Sequence, residues 1–187
     1  MQPDYSRQLL LKEIGARGQA ALARGRVLVV GAGGLGSPVL QYLAGAGVGC
    51  LGLVEADSLD ASNLHRQPIY ALEDVGAQKV ALAAAAVKRI NPTVQVETHA
   101  VKLDADNVLA LIRGYDVVVD CSDNFRAKYL INDAAVLAHR PAVFASVYAK
   151  LEFGPRPPPQ WLTPGAMKWR KNACVSSSAS RLPCRTP

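Results

Sequence analysis

The chain has 187 residues, half of them apolar, which suits one well-buried domain and is too short for two of ordinary size. Its net charge of +6 is localised, because Arg156, Lys168, Arg170, Lys171, Arg181 and Arg185 follow Glu152 with no acid among them. Residues 1–153 are therefore formally neutral, which argues against a nucleic-acid-binding surface on the folded part. No apolar stretch reaches the about 18 residues of a membrane span, and no charged-then-apolar leader opens the chain, so a cytoplasmic protein is expected.

Apolar spacing predicts a helix from Ser6 to about Leu22, interrupted around Gly15-Ala16-Arg17-Gly18. A strand over 26–30 follows, then a helix to about Ala46 and a second strand near 50–55. A polar loop runs from Asp57 to about Gln67, and a helix over 76–90 stops at Asn91-Pro92. Val94, Val96 and Thr98 alternate with polar neighbours in a strand over 94–100. Asp104 caps a helix reaching about Arg113, and Val117-Val118-Val119 forms a strand apolar on both faces, as at the centre of a parallel sheet. A helix over about 125–139 and a strand over 142–145 complete the alternation. The expected fold is α/β: a doubly wound, mostly parallel Rossmann-like sheet with right-handed crossovers and an N-terminal helical segment.

Residues 1–153 form the expected nucleotide-binding domain, and residues 154–187 an irregular or disordered basic tail. Seven of the twelve prolines and the serine run 176–178 fall in this tail, which shows no periodicity. Of the four cysteines, Cys50 and Cys121 are expected as buried thiols near strand ends, and Cys174 and Cys184 fall in the tail.

Gly31-Ala32-Gly33-Gly34-Leu35-Gly36 lies directly behind Val27-Leu28-Val29-Val30, and Glu55 follows at the end of the second strand. Gly31 permits a tight turn, Gly33 lets backbone N–H groups approach phosphate, and Gly36 packs helix against strand, with Gly34 also expected among the nucleotide-binding residues. The helix opening near Leu35 points its positive end at the bound anion. An acid at Glu55 is placed for ribose hydroxyls, and Asp57 is the second acid in that turn.

Four further groups stand in order along the chain: Tyr5-Ser6-Arg7-Gln8, Asn63-Leu64-His65-Arg66-Gln67, Gln78-Lys79-Val80 and Asp120-Cys121-Ser122-Asp123-Asn124. With the glycine loop, they make residues from about Asp4 to Tyr148 resemble the ThiF/MoeB/HesA family of adenylating enzymes, bacterial relatives of ubiquitin-activating enzymes. The resemblance implies an ATP-dependent adenylyltransferase that activates the C-terminal Gly-Gly carboxylate of a ubiquitin-like sulfur-carrier protein for thiamine or molybdopterin synthesis, releasing pyrophosphate. It implies Arg66 and Lys79 on the triphosphate, Asp123 as a Mg²⁺ ligand and Glu55 on the ribose. Asn63, Gln67 and Asn124 would lie around the nucleotide. Arg7 would reach into the active site of a partner subunit, hence a homodimer.

Each role has a plainer counterpart. Arg66, Lys79 and Arg7 are also what solvated surface charges look like, Asp123-Asn124 could cap the next helix, and His65 reads as a polar loop residue. Tyr5 and Tyr148 either pack or line a peptide groove, while Cys121 reads as a buried thiol more than a nucleophile. At the level of the whole chain, the alternatives are an NAD-dependent oxidoreductase using the same glycine loop, or a nucleotide-binding remnant without full activity.

The family pattern continues past the fifth strand and carries two C-x-x-C pairs for a structural zinc, and those ligands are absent from this sequence. From Pro155 onward the sequence resembles another reading frame or a foreign end. A chain altered in this way is expected to bind ATP yet to be weakly active or unstable by itself.

Overall fold

In the computed structural model, residues 3–147 are described. Tyr148, Cys174, Cys184 and the whole tail expected over 154–187 lie outside the described residues.

Five strands form one parallel sheet in the order β3-β2-β1-β4-β5: β1 (Arg26–Val30), β2 (Cys50–Val54), β3 (Gln95–His99), β4 (Val117–Asp120) and β5 (Ala142–Phe144). Register runs from Val27 to Leu51 on one side of β1 and from Val27 to Val117 on the other. The chain thus builds outward from β1 through β2 and β3, then returns to lay β4 on the opposite side. The reversal opens a crevice at the carboxyl ends of β1 and β4, where α/β sheets bind ligands.

Helices cover both faces, because the central strands are apolar on both sides. On one face α3 (Gly36–Ala46) and α4 (Lys79–Ile90) bury Leu40, Ala44, Val80, Ala83 and Val87 against Val29, Leu51 and Leu53. On the other, α5 (Val108–Arg113) and α6 (Phe125–Ala138) bury Ile112 and Ile131 against Leu28, Val54 and Val118. The doubly wound reading is therefore correct.

Several boundaries differ from expectation, each for a local reason. The N-terminal break falls before Gly15, between α1 (Ser6–Leu9) and α2 (Gly15–Arg24); Gly15, at φ 53°, opens α2, and the expected interruption is inside that helix. The helix expected from residue 76 begins at Lys79, because Gly76, at φ 92°, turns the chain first. The Asp104 carboxylate accepts the N–H groups of Asp106 and Asn107, capping a turn that precedes α5 rather than α5 itself. The centre of the sheet belongs to β1; β4 lies beside it, with Val117 and Val119 half-buried.

Candidate active site

The glycine loop leaves β1 at Gly31, whose φ of 90° belongs to the left-handed region that glycine favours. A Cβ there would lie 2.9 Å from the Cys121 carbonyl oxygen, and one on Gly36 would collide with the Gly31 carbonyl. These two glycines are required by the fold. Gly33 and Gly34 are not: a Cβ on either would meet only Gln67 and Arg66 at 3.5–3.6 Å, an ordinary contact. Their bare backbone is left open toward the crevice, as a phosphate-binding turn requires.

Two side chains hold the loop in shape. The Tyr70 hydroxyl donates to the Ala32 carbonyl at 2.8 Å, and burial pushes that phenol's pKa up. The Glu55 carboxylate accepts the Ala32 N–H at 3.0 Å through Oε2, and the N–H groups of Ala56 and Asp57 through Oε1. Glu55 thus braces the turn; a carboxylate has about four acceptor positions, so about one remains for a ribose hydroxyl.

The loop after β2 folds back on itself. Leu59 N–H donates to the Ala77 carbonyl, Gly76 N–H to Leu59 and Lys79 N–H to Asp57, all within 3.0 Å. This antiparallel clip brings the first turn of α4 to the end of β2, and so places Lys79 beside Asp57. Between the two halves of the clip, Asp60 and Asn63 cap a short 3-10 turn, the Asp60 carboxylate accepting the Ser62 N–H at 2.8 Å. Hydrogen bonding from the Ser62 side chain, and then from its N–H, lowers the Asp60 pKa. The turn presents Asn63, Arg66 and Gln67 toward the glycines, with Arg66 lying along Gly34.

Together these elements enclose a cleft of about 1320 Å³. It is lined by Gly31, Gly33, Gly34, Glu55, Asp57, Asn63, Arg66, Gln67, Lys79, Asp123 and Asn124, all expected at the site. Gly36 lies behind the loop rather than on the surface of the cleft. Lys79 is only 7% exposed, yet among the described residues it joins no ion pair; Arg66 and Asp123 join none either. A buried cation without a counter-charge is costly unless an anion completes it.

Other residues fall elsewhere. Asn124, and not Asp123, caps α6, its side chain accepting the Ala127 N–H at 2.8 Å and leaving the Asp123 carboxylate exposed. His65 is an exposed loop residue outside the cleft. Tyr5 packs: its hydroxyl accepts from Asn91 Nδ2 at 2.8 Å, and its ring lies where a Cβ on Gly47 would be. Gln8 Nε2 reaches the Ala46 carbonyl, so α1 is fastened at the C-terminal ends of α3 and α4. Arg7 is accordingly exposed and does not line its own chain's cleft; α3 alone, at 1.5 Å per residue, separates the two ends by about 16 Å. Cys121 is buried, and burial, reinforced by the Asp120 carboxylate, pushes its thiol up to about 11, which keeps it protonated and poorly nucleophilic.

Sequence reasoning gave no part to Asp120, Lys128, Lys102 or Tyr70. Asp120 is fully buried and pairs at 3.0 Å with Lys128, a residue eight positions on, at the end of the first turn of α6. No periodic signal marks a pair of that kind. Lys102 and Lys128 line the cleft, Lys102 from the loop after β3.

The site's residues and their order along the chain agree with one known family: residues 5–152 match the ThiF family. The chain belongs to the ThiF family. It is 53% identical over 144 residues to a sulfur carrier protein adenylyltransferase of Thermus thermophilus, covering 77% of this chain and 53% of that protein. To the adenylyltransferase and sulfurtransferase MOCS3 of Mus musculus it is 55% identical over 142 residues, 76% of this chain and 31% of the relative. Among solved structures, the tRNA N6-threonylcarbamoyladenosine dehydratase TcdA of E. coli in complex with ATP superposes with a TM-score of 0.69 at 28% identity, covering 77% of this chain and 61% of that one. The chain thus spans about half the length of the Thermus relative and about a third of the mouse one. No helix among the described residues is long and apolar enough to cross a membrane.

Proposed function

We propose that this chain is an ATP-dependent adenylyltransferase that activates the C-terminal Gly-Gly carboxylate of a ubiquitin-like sulfur-carrier protein. The observation that carries the reading is Lys79: a buried ammonium at the mouth of a glycine loop, which forms no salt bridge among the described residues, calls for a polyanion. The name of the Thermus relative and the ATP complex of the E. coli one favour the same chemistry.

In the reaction, a carboxylate oxygen of the carrier forms a bond to the α-phosphorus while the bond from that phosphorus to the pyrophosphate oxygen breaks. Negative charge gathers on the phosphoryl oxygens and the leaving group. Fixed cations in a preorganised site stabilise it there. Arg66 and Lys79 supply that charge, and the open N–H groups at Gly33 and Gly34 bind phosphate. Glu55 takes one ribose hydroxyl, Asp57 lies beside it, and Asn63, Gln67 and Asn124 complete the polar wall.

The residues fit Mg²⁺ and not a resident metal cage. Among the described residues no group of three or more His, Cys, Asp or Glu could hold an ion. Asp123 offers a single exposed carboxylate, which suits a hard cation that takes most of its oxygens from phosphate and water. When bound, such a cation neutralises charge on the triphosphate.

Arg7 is held at the far end of its own α3, so a part for it in a cleft would be played in that of a second copy, and this reading takes a homodimer as the working unit. Residues 1–153 would form the catalytic domain and act in the cytoplasm. A hydride-transferring enzyme using NAD would share the glycine loop and Glu55, but it has no need of Arg66 and Lys79 at a triphosphate.

The test is pyrophosphate exchange into ATP in the presence of a small carrier ending in Gly-Gly. Exchange that requires the carrier and is lost in Arg66→Ala supports the proposal. Exchange equal with a carrier lacking its terminal glycines would refute it.

A further inference from the structure

Lys128 is a second, half-buried lysine of the cleft, and its circumstances are opposite to those of Lys79. Its side chain is 17% exposed and its charge is neutralised within the chain: Nζ donates to Asp120 Oδ2 at 3.0 Å and to the Ala145 carbonyl at 2.8 Å. The Asp120 carboxylate is fully buried, and its other oxygen accepts the Ser122 N–H at 2.9 Å. One ammonium therefore joins three pieces of chain: the end of β4 with the turn that carries Asp123, the first turn of α6, and the segment after β5. Ser146 and Val147, which follow Ala145, line the cleft together with Asp123.

We infer that Lys128 is a positioning residue, fixing the Asp123 turn against the segment after β5 so that the Asp123 carboxylate meets the metal of bound Mg–ATP. The inference rests on the adenylyltransferase reading and deepens it. A neutralised ammonium adds little attraction for phosphate, so Lys128 acts through the geometry of Asp123. Misplacement of about 1 Å at such a group is enough to cost up to a hundredfold.

Removing one partner of this pair would leave a buried charge, which is strongly destabilising. The experiment therefore uses Lys128→Arg, which keeps the charge and its donors, and the double variant Asp120→Asn/Lys128→Met, which removes both charges together. ATP binding is measured by calorimetry with and without Mg²⁺, alongside thermal unfolding of each protein. In the native chain and in Lys128→Arg, Mg²⁺ should tighten ATP binding by about tenfold, as charge-assisted contacts do. In the folded double variant that gain should fall to about one, with metal-free ATP affinity unchanged. A double variant that unfolds at the native temperature and keeps the full Mg²⁺ gain overturns the inference while leaving the function intact. A native chain with no Mg²⁺-dependent ATP binding overturns the functional reading and this inference with it.

Discussion

Gly31 and Cys121 touch across the point where the sheet reverses direction: the Cys121 carbonyl oxygen would stand 2.9 Å from a Cβ on Gly31, which also has a φ of 90°. The contact joins the ends of β1 and β4, so both walls of the cleft depend on it. Gly31→Ala should therefore destabilise the fold by about 2 kcal/mol or more through strain and overpacking, seen as a lower unfolding midpoint. Gly33→Ala meets only an ordinary contact with Gln67. Its unfolding free energy should stay within about 0.5 kcal/mol of the native value. Its ATP affinity should nevertheless drop by about tenfold or more, because the methyl group occupies phosphate space. Equal effects of the two substitutions on stability would contradict this division of labour.

That division was only half legible in the sequence. The run from Gly31 to Gly36, the strand before it and the acid after it announced a nucleotide-type turn, and the alternation of strands and helices gave the doubly wound sheet. Which glycines serve the chain and which serve a ligand depends on the approach of Cys121, ninety residues away. The clip that carries Lys79 to Asp57 was hidden too, being built from backbone pairs that leave no pattern in side chains. Glu55 was expected to face a ribose, yet three backbone N–H groups occupy most of its oxygen lone pairs. Helix starts were misjudged wherever a glycine or an Asx turn delays the first helical residue, as at Gly76 and Asp104.

A second prediction concerns pH. Glu97 accepts both the Arg26 guanidinium at 2.8 Å and the Tyr115 hydroxyl at 2.7 Å, which hold its carboxyl below the usual carboxylate range. Because the folded pKa lies below the unfolded one, the contribution is present above the unfolded pKa and is lost as pH falls through the folded value. Denaturant titrations of the native chain and Glu97→Gln should thus differ at pH 7 and converge well below pH 4. The pair is half exposed, so the difference at pH 7 is modest. A gap that widens in acid would show that the pairing has been misread.

Cys121 offers a chemical check on its placement. A thiol buried at the end of β4 and pushed up to about 11 is almost wholly protonated at pH 8. Alkylation by iodoacetamide should be slower than for a free cysteine by roughly a hundredfold, since the thiolate is the nucleophile. Unfolding in denaturant should abolish the protection. Rapid modification of Cys121 in the folded chain would place it on the surface instead.

The position of α1 makes a prediction about assembly. If Arg7 serves a partner's cleft, chains carrying Arg7→Ala and chains carrying Lys79→Met are each inactive, and random mixing in a twofold dimer regenerates about a quarter of the native sites. Pyrophosphate exchange measured on the mixture reports that recovery. A mixture as inactive as its components would remove Arg7 from the account.

The central claim is that Lys79 and Arg66, from two turns of one clip, and Asp123, from the end of β4, form a single receptor for a triphosphate and its metal. Calorimetric titration of the native chain, Lys79→Met and Arg66→Ala with Mg–ATP and with NAD tests it most directly. The account predicts preference for Mg–ATP in the native chain and losses of roughly ten- to hundredfold in each variant, the scale of a hydrogen bond to a charged group. Tighter binding of NAD, or Mg–ATP affinity indifferent to both substitutions, would contradict it.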